Sequence, residues 1–239
     1  MHGALKHAPA FPLRGDAFDG MSAATRAALD RAPAAPAGII LFTGPEGEGR
    51  DYALQTALEQ CPQAHVVGEI VNAADAQEAV DAGMSGRLVM AGIDAPDAVS
   101  ALARFRAIGM EPLMLAASLR AILAQRQLAR LCGHCRRPVQ ASASLCARLG
   151  FDTGVVLWEA VGCGRCAGTG RAAAIGLFEL VVVDGALRAL IAAGGDSPVL
   201  ASHAFRDRPN LGGVARAMVI EGLIAGEDAV RLGREVQSQ

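Results

Sequence analysis

"GPEGEGRDYAL", Gly44 to Leu54, follows a short apolar run and precedes a stretch with helical spacing. Gly44 and Gly49 stand where a G-x-x-x-x-G-K-[ST] phosphate-binding loop has its two glycines. The lysine and hydroxyl that should follow are replaced by Arg50 and Asp51. A strand, a glycine-rich turn and a helix start leave backbone N–H groups able to cradle an anion. Gly44, Gly47, Gly49, Arg50 and Asp51 are therefore the candidate nucleotide-binding residues. The side chains oppose that role, because Glu46, Glu48 and Asp51 set three negative charges against Arg50. A carboxylate about 6 Å from a phosphate charge costs roughly 3 kcal/mol at an effective dielectric near 20, less if it turns to solvent. Arg50 keeps a positive charge, but as a planar fork rather than a compact ammonium. An ordinary glycine-rich turn is the competing reading, and ATP with magnesium is doubtful as a ligand.

Working outward, "GIILFT" (Gly38 to Thr43) reads as a buried strand, and "HVVGEI" (His65 to Ile70) and "RLVMAG" (Arg87 to Gly92) as a second and a third strand. Tyr52–Gln60, Ala73–Gly86, Asp97–Ile108 and Leu113–Leu131 read as helices, the last with Leu113, Leu119, Ile122 and Leu123 as its apolar stripe. Strands alternating with helices predict an α/β fold with a parallel sheet. Residues 1–36 form an Ala/Pro-rich segment in which "MSAATRAALDRA" is a short helix with Ser22 as N-cap. The expected division is 1–36, a core over 37–131, a metal module over 132–186 containing the short strand "LFELVVV", and a helical tail over 187–239. No internal repeat is visible.

The 239 residues are 52% apolar and 4% aromatic, so the core is aliphatic. A net charge of -2 argues against a nucleic-acid footprint, which needs a basic stripe. Mean hydropathy is +0.31, for which a buried subunit interface is one source. No apolar run reaches membrane-span length; the best, "IGLFELVVV", carries Glu179. The first twenty residues lack a charged-then-apolar signal pattern. A cytoplasmic chain is expected, and there six cysteines point to metal or catalysis rather than disulfides.

"CGHC" (Cys132, Cys135) and "CGRC" (Cys163, Cys166) are two C-x-x-C knuckles. Each lets two thiolates reach one ion from a tight turn, and the pair completes a closed tetrahedral site. Thiolate softness favours zinc, with iron as the second choice. Four ligands leave no open position, so the expected zinc is structural. A redox pair or unrelated core cysteines are the alternatives. Cys61 and Cys146 lack a partner knuckle and read as small buried hydrophobes. His134 lies between two ligands and need not be one.

Taken in order, these segments resemble the motor ATPases of type II secretion and type IV pilus assembly. "GIILFTGPEGEGRDYAL" is similar to their strand, phosphate loop and first helix, and "VVGEI" to their second nucleotide motif, with Gly68-Glu69 as its acidic pair. The run from Ala76 through "CGHC", then "GCGRCAGTGRAAAIGLFELVVVDGALRALI" and "MVIEGLIAGEDAVRLGRE", follow the family into and beyond the zinc module. The resemblance implies a RecA-like P-loop NTPase core, here cut down. It also implies a homo-oligomer or a mixed ring, hexameric in form, with a full-length motor homologue. Secretion-system inner-membrane components would be its partners, and it would sit peripherally at that membrane without spanning it.

The departures bear on activity. Besides Arg50 and Asp51, the family's two motif histidines are Arg87 and Asp94, and its "GEIRD" reads "GEIVN", losing a charged pair at Val71 and Asn72. Only sixteen residues, Tyr52 to Val67, separate the loop from Gly68. The resemblance implies a longer interval in active members, carrying a catalytic glutamate and arginines that reach nucleotide across a subunit boundary. Glu69 remains as the catalytic candidate, able to hold a water or a metal, with capping or solvation as the alternative. Three functions are thus in contention. They are a hydrolysis-deficient relative acting in assembly or regulation, an active motor with Arg50 serving for lysine, and an unrelated zinc-ribbon interaction protein.

Overall fold

The computed structural model describes residues 17–31 and 37–237. The remainder of the Ala/Pro-rich segment, 1–16 and 32–36, lies outside the described residues. The centre is a five-stranded sheet of order β2-β3-β1-β4-β7, built from β1 (Gly38–Thr43), β2 (His65–Glu69), β3 (Leu88–Ile93), β4 (Leu119–Leu131) and β7 (Arg171–Val182). The first four run parallel, and β7 closes one edge antiparallel to β4. β5 (Arg137–Gln140) and β6 (Val156–Glu159) form a separate antiparallel ribbon.

β1 is buried throughout, so its side chains serve two cores. Ile39 and Leu41 face one layer and Ile40 and Phe42 the other, the alternation a pleated strand imposes. The first layer holds α3 (Ala73–Met84), α4 (Ala98–Ala107), α5 (Pro112–Ser118) and the C-terminal helices α7 (Gly185–Ala192), α8 (Ser197–Ala204), α9 (Leu211–Ile220) and α10 (Gly226–Gln237). The second holds α2 (Arg50–Gln60) and α1 (Ala23–Arg31). Only α2 occupies the chain between the loop and β2.

Two elements differ from the sequence-based expectation. Leu113–Leu131 is not one helix: α5 ends at Ser118 and β4 takes the rest. Leu, Ala, Gln and Arg favour a helix by local propensity. Pairing with β1 on one side and β7 on the other overrides that preference. β4 is buried on both faces, so it shows no period-2 alternation, and Leu113, expected in an apolar stripe, is 70% exposed. "LFELVVV" is the end of a twelve-residue strand, β7, in the central sheet rather than a short strand of the metal module. In the N-terminal segment, residues 17–31 are ordered onto the sheet. Ser22 caps α1 by accepting from the Thr25 amide, Phe18 packs near Phe178, and the Asp19 carbonyl accepts from the Gly176 amide.

Glu179 on β7 is buried and joins two helices to the sheet. Its carboxylate accepts from the Ala98 amide at 2.9 Å and the Leu211 amide at 2.8 Å, the first residues of α4 and α9. Burial pushes its pKa from 4.5 up to about 7; the two amide bonds pull back, and the nearby Asp97 charge adds to the rise. The folded chain therefore keeps a proton that the unfolded chain has already released between pH 4.5 and about 7. This group's contribution to stability is present below that window and is lost as pH rises through it. Glu179→Gln should flatten the fall in the urea midpoint between pH 5 and 8; an unchanged slope would place that pH dependence elsewhere.

Candidate functional site

The loop from Gly44 to Gly49 leaves the C-terminal end of β1 and enters α2 without a side-chain cap. Gly44, Gly47 and Gly49 adopt φ values of 149°, 81° and 90°, a region closed to most side chains. At Gly49 a Cβ would also strike the side-chain amides of Gln125 and Gln127. Glycines thus hold the turn into α2, and no side chain caps the first amides of that helix.

The side chains around that turn are engaged with one another. Arg50 is 5% exposed and folds inward. Its Nε donates to Asp51 Oδ1 at 2.8 Å and its Nη1 to Glu69 Oε1 at 3.2 Å and the Gly44 carbonyl at 3.4 Å. Burial alone would lower the guanidinium's pKa; Asp51, then Glu69, outweigh it and raise it. Arg50 is thus a fixed cation with both neighbours committed to it. Glu69 stands at the end of β2, which places it opposite the loop. Glu48, expected to repel phosphate, instead turns down onto β4. It accepts from Arg126 Nε at 2.7 Å and the Gln127 amide at 3.0 Å, and Arg126 also binds Glu235 of α10 at 2.6 Å. Glu46 remains exposed.

The β4 residues at the loop floor, Gln125 to Gln127, carry no site signal in the sequence, because local propensity there favours a helix. Gln125 is 2% exposed, and among the described residues neither its Oε1 nor its Nε2 has a hydrogen-bond partner. The backbone and this polar floor fit an anion. The Arg50 cluster does not fit magnesium-bound nucleotide, because its one cation is tied to two carboxylates and Asp51 stands where a neutral hydroxyl is needed. Of the other altered positions, Asn72 has a structural task, capping α3 through the Ala74 and Asp75 amides. Val71 is exposed.

At the far end of β4 the four candidate ligands converge. The thiol sulfurs of Cys132, Cys135, Cys163 and Cys166 lie within 4.8 Å of one another. Cys135 and Cys166 are 3.8 Å apart, Cys163 and Cys166 3.7 Å. Four Zn–S bonds of about 2.3 Å in a tetrahedron give edges near 3.8 Å, so the cluster fits zinc. The β4–β7 register sets this up, because Leu131 pairs with Arg171 and the Cys132 amide donates to the Gly170 carbonyl. Backbone amides of Cys163 and Gly170 donate to Cys166 Sγ at 3.1 and 3.2 Å. Burial raises this thiol's pKa, but those bonds outweigh it and bring it down to about 6. Cys135 is pushed up to about 12 by burial and by its cysteine neighbours, against one amide bond from Gly162. His134 is exposed and outside the cluster; Cys146 is buried as expected, while Cys61 is half-buried.

Two measurements check this geometry. Arg50→Ala should cost about 2 kcal/mol, because it removes the buried guanidinium and leaves the part-buried Asp51 and the exposed Glu69 without their shared cation, whereas Glu69→Gln should cost within about 1 kcal/mol because Glu69 is exposed. Urea melts would read the difference, and equal costs would contradict the assigned pairing. Metal analysis should find one zinc per chain in the purified protein and none in the Cys132→Ser, Cys163→Ser double variant. Full zinc in that variant would refute the ligand set.

A family profile described as Type II/IV secretion system protein matches residues 51–231. The chain is 30% identical to "Type II secretion system protein E" of Pseudomonas aeruginosa over 263 aligned residues, covering 90% of this chain and 52% of that protein. It is 37% identical to "Type IV pilus assembly ATPase PilB" of Thermus thermophilus, over 59% of this chain and 16% of that one. The chain spans about half the length of the type II secretion proteins it matches. The first alignment is longer than the chain itself, so that relative carries inserted residues within the matched span. Among solved structures, the pilus retraction motor PilT with bound ADP superposes with a TM-score of 0.61 at 18% identity, covering 96% of this chain and 71% of that one. This last likeness supports the α/β fold.

Proposed function

The chain belongs to the Type II/IV secretion system protein family, and from that premise we propose that it is a non-hydrolysing member acting in the assembly or regulation of a secretion machine. The observation that carries this reading is the position of Arg50. The cation a phosphate loop would aim at its ligand is held by Asp51 and Glu69. Phosphoryl transfer needs positioning, magnesium and charge neutralisation together. Asp51 adds charge where a magnesium ligand should be neutral. With α2 alone between the loop and β2, the described residues offer no counterpart of the glutamate and arginines that the family resemblance implies there. Glu69 serves as a partner of Arg50 rather than as a base.

In this role the chain keeps the fold and a structural zinc on Cys132, Cys135, Cys163 and Cys166 as an assembly surface. It joins a homo-oligomer, or a mixed ring with a full-length motor homologue, and meets the inner-membrane components of the machine from the cytoplasmic side. Among the described residues no helix is long and apolar enough to cross a membrane, which is compatible with peripheral attachment.

The test is calorimetric titration of the zinc-loaded chain with ATP and magnesium, alongside a phosphate-release assay. The unmodified chain should bind weakly or not at all and release no phosphate. Arg50→Lys with Asp51→Thr removes one negative charge and returns a hydroxyl, and should tighten binding about tenfold without restoring turnover. Magnesium-dependent turnover by the unmodified chain, abolished by Glu69→Gln, would establish the alternative reading, an active motor.

A further inference from the structure

A second charged site lies among the C-terminal helices and has no part in the nucleotide reading. α6 (Ala143–Leu149), α9 and α10 frame an open cleft of about 590 Å3. Arg148, Arg216 and Arg234 line it, one from each helix. All three are exposed, and among the described residues none has an ion-pair or side-chain hydrogen-bond partner. Some other arginines of the chain are tied down. Arg126 is held by Glu48 and Glu235, Arg171 by Asp228, Arg137 by Glu159, and Arg188 by the Ala116 carbonyl.

Two carboxylates of α10 are committed elsewhere. On α10, Asp228 binds Arg171 and Arg231, and Glu235 binds Arg126 and Arg231. Among the described residues no acidic side chain lines the cleft. Its floor is apolar and small, with Leu149 and Val230 between Gly150, Gly212 and Gly233. The Arg216 guanidinium lies over Gly150, 3.4 Å from where a Cβ would stand, so a larger residue there would crowd it. Three guanidiniums in a chain of net charge -2 make a local concentration of positive charge against the overall sign.

We propose that this cleft binds an acidic peptide segment of a partner protein. Guanidinium forks match carboxylates in paired hydrogen bonds. The apolar floor suits aliphatic side chains interspersed among the acids. Among the described residues no aromatic side chain lines the cleft to stack a nucleobase. The separation of the three arginines onto three helices favours an extended chain of carboxylates over one compact anion. The site stands independently of whether the loop binds nucleotide.

The experiment is fluorescence anisotropy on the full, zinc-loaded chain with a labelled twelve-residue peptide of Glu-Asp-Leu repeats. The same peptide with lysine in place of the acids is the control. The acidic peptide should bind and weaken with added salt. Arg148→Glu, Arg216→Glu and Arg234→Glu should each weaken it about tenfold, while Arg87→Glu, outside the cleft, leaves it unchanged. If a glutamate variant fails to hold its zinc, the corresponding Arg→Gln variant should show the same direction of loss. Three results would overturn the proposal. One is no binding of the acidic peptide, and another is equal binding by the triple Arg→Glu variant. The third is tighter engagement of the same three arginines by tripolyphosphate or by phosphatidylglycerol vesicles than by the peptide.

Discussion

The pairing of β4 with β7 is the constraint on which both candidate sites depend. Ten residues of β4, from Ala121 to Leu131, are in register with β7 from Val182 to Arg171. One end of that ribbon lies beside β1, where Ala124 pairs with Thr43 and the following residues floor the phosphate loop. The other end brings Leu131 opposite Arg171 and so sets the two cysteine knuckles face to face. A one-residue slip would turn Gln125 and Gln127 away from Gly49 of the loop and separate the cysteine pairs at the same time. Loop shape and metal geometry are thus consequences of a single strand register.

The loop itself separates backbone from chemistry. Its three glycines hold the turn because left-handed backbone suits only them, and this survives any change of the neighbouring side chains. The side chains then pair internally. Arg50 takes Asp51 and Glu69, and Glu48 takes Arg126. Repulsion by three loop carboxylates, expected from the sequence, is therefore the smaller effect. Glu48 is paired with Arg126, and the loop's own cation already has two partners.

How much of this is legible in the sequence follows from which residues carry a local signal. β1, β2, β3 and α2 to α4 are legible because β-branched runs, glycine turns and helical spacing each indicate one conformation. The cysteine cluster is legible because two C-x-x-C knuckles close together are the spacing that four thiolates on one ion require. β4 is not, because Leu, Ala, Gln and Arg prefer a helix and a strand buried on both faces shows no alternation. A helix over that stretch hides Gln125, Arg126 and Gln127, and with them the reason Glu48 points away from the loop. Packing of residues 17–31 onto the sheet is also hidden, since it rests on Phe18 meeting Phe178 far along the chain.

The claim that Arg50 is fastened inside its own loop is tested most directly by the guanidinium itself. In a proton–nitrogen NMR spectrum, the Arg50 Nε–H, buried and bonded to Asp51, should exchange slowly with water. Its assignment follows from the loss of that peak in Arg50→Lys. Adding magnesium and ATP should leave the peak in place and slow to exchange. A peak that shifts or broadens with ATP in a saturable manner, as Arg50 leaves Asp51 for phosphate, would contradict it.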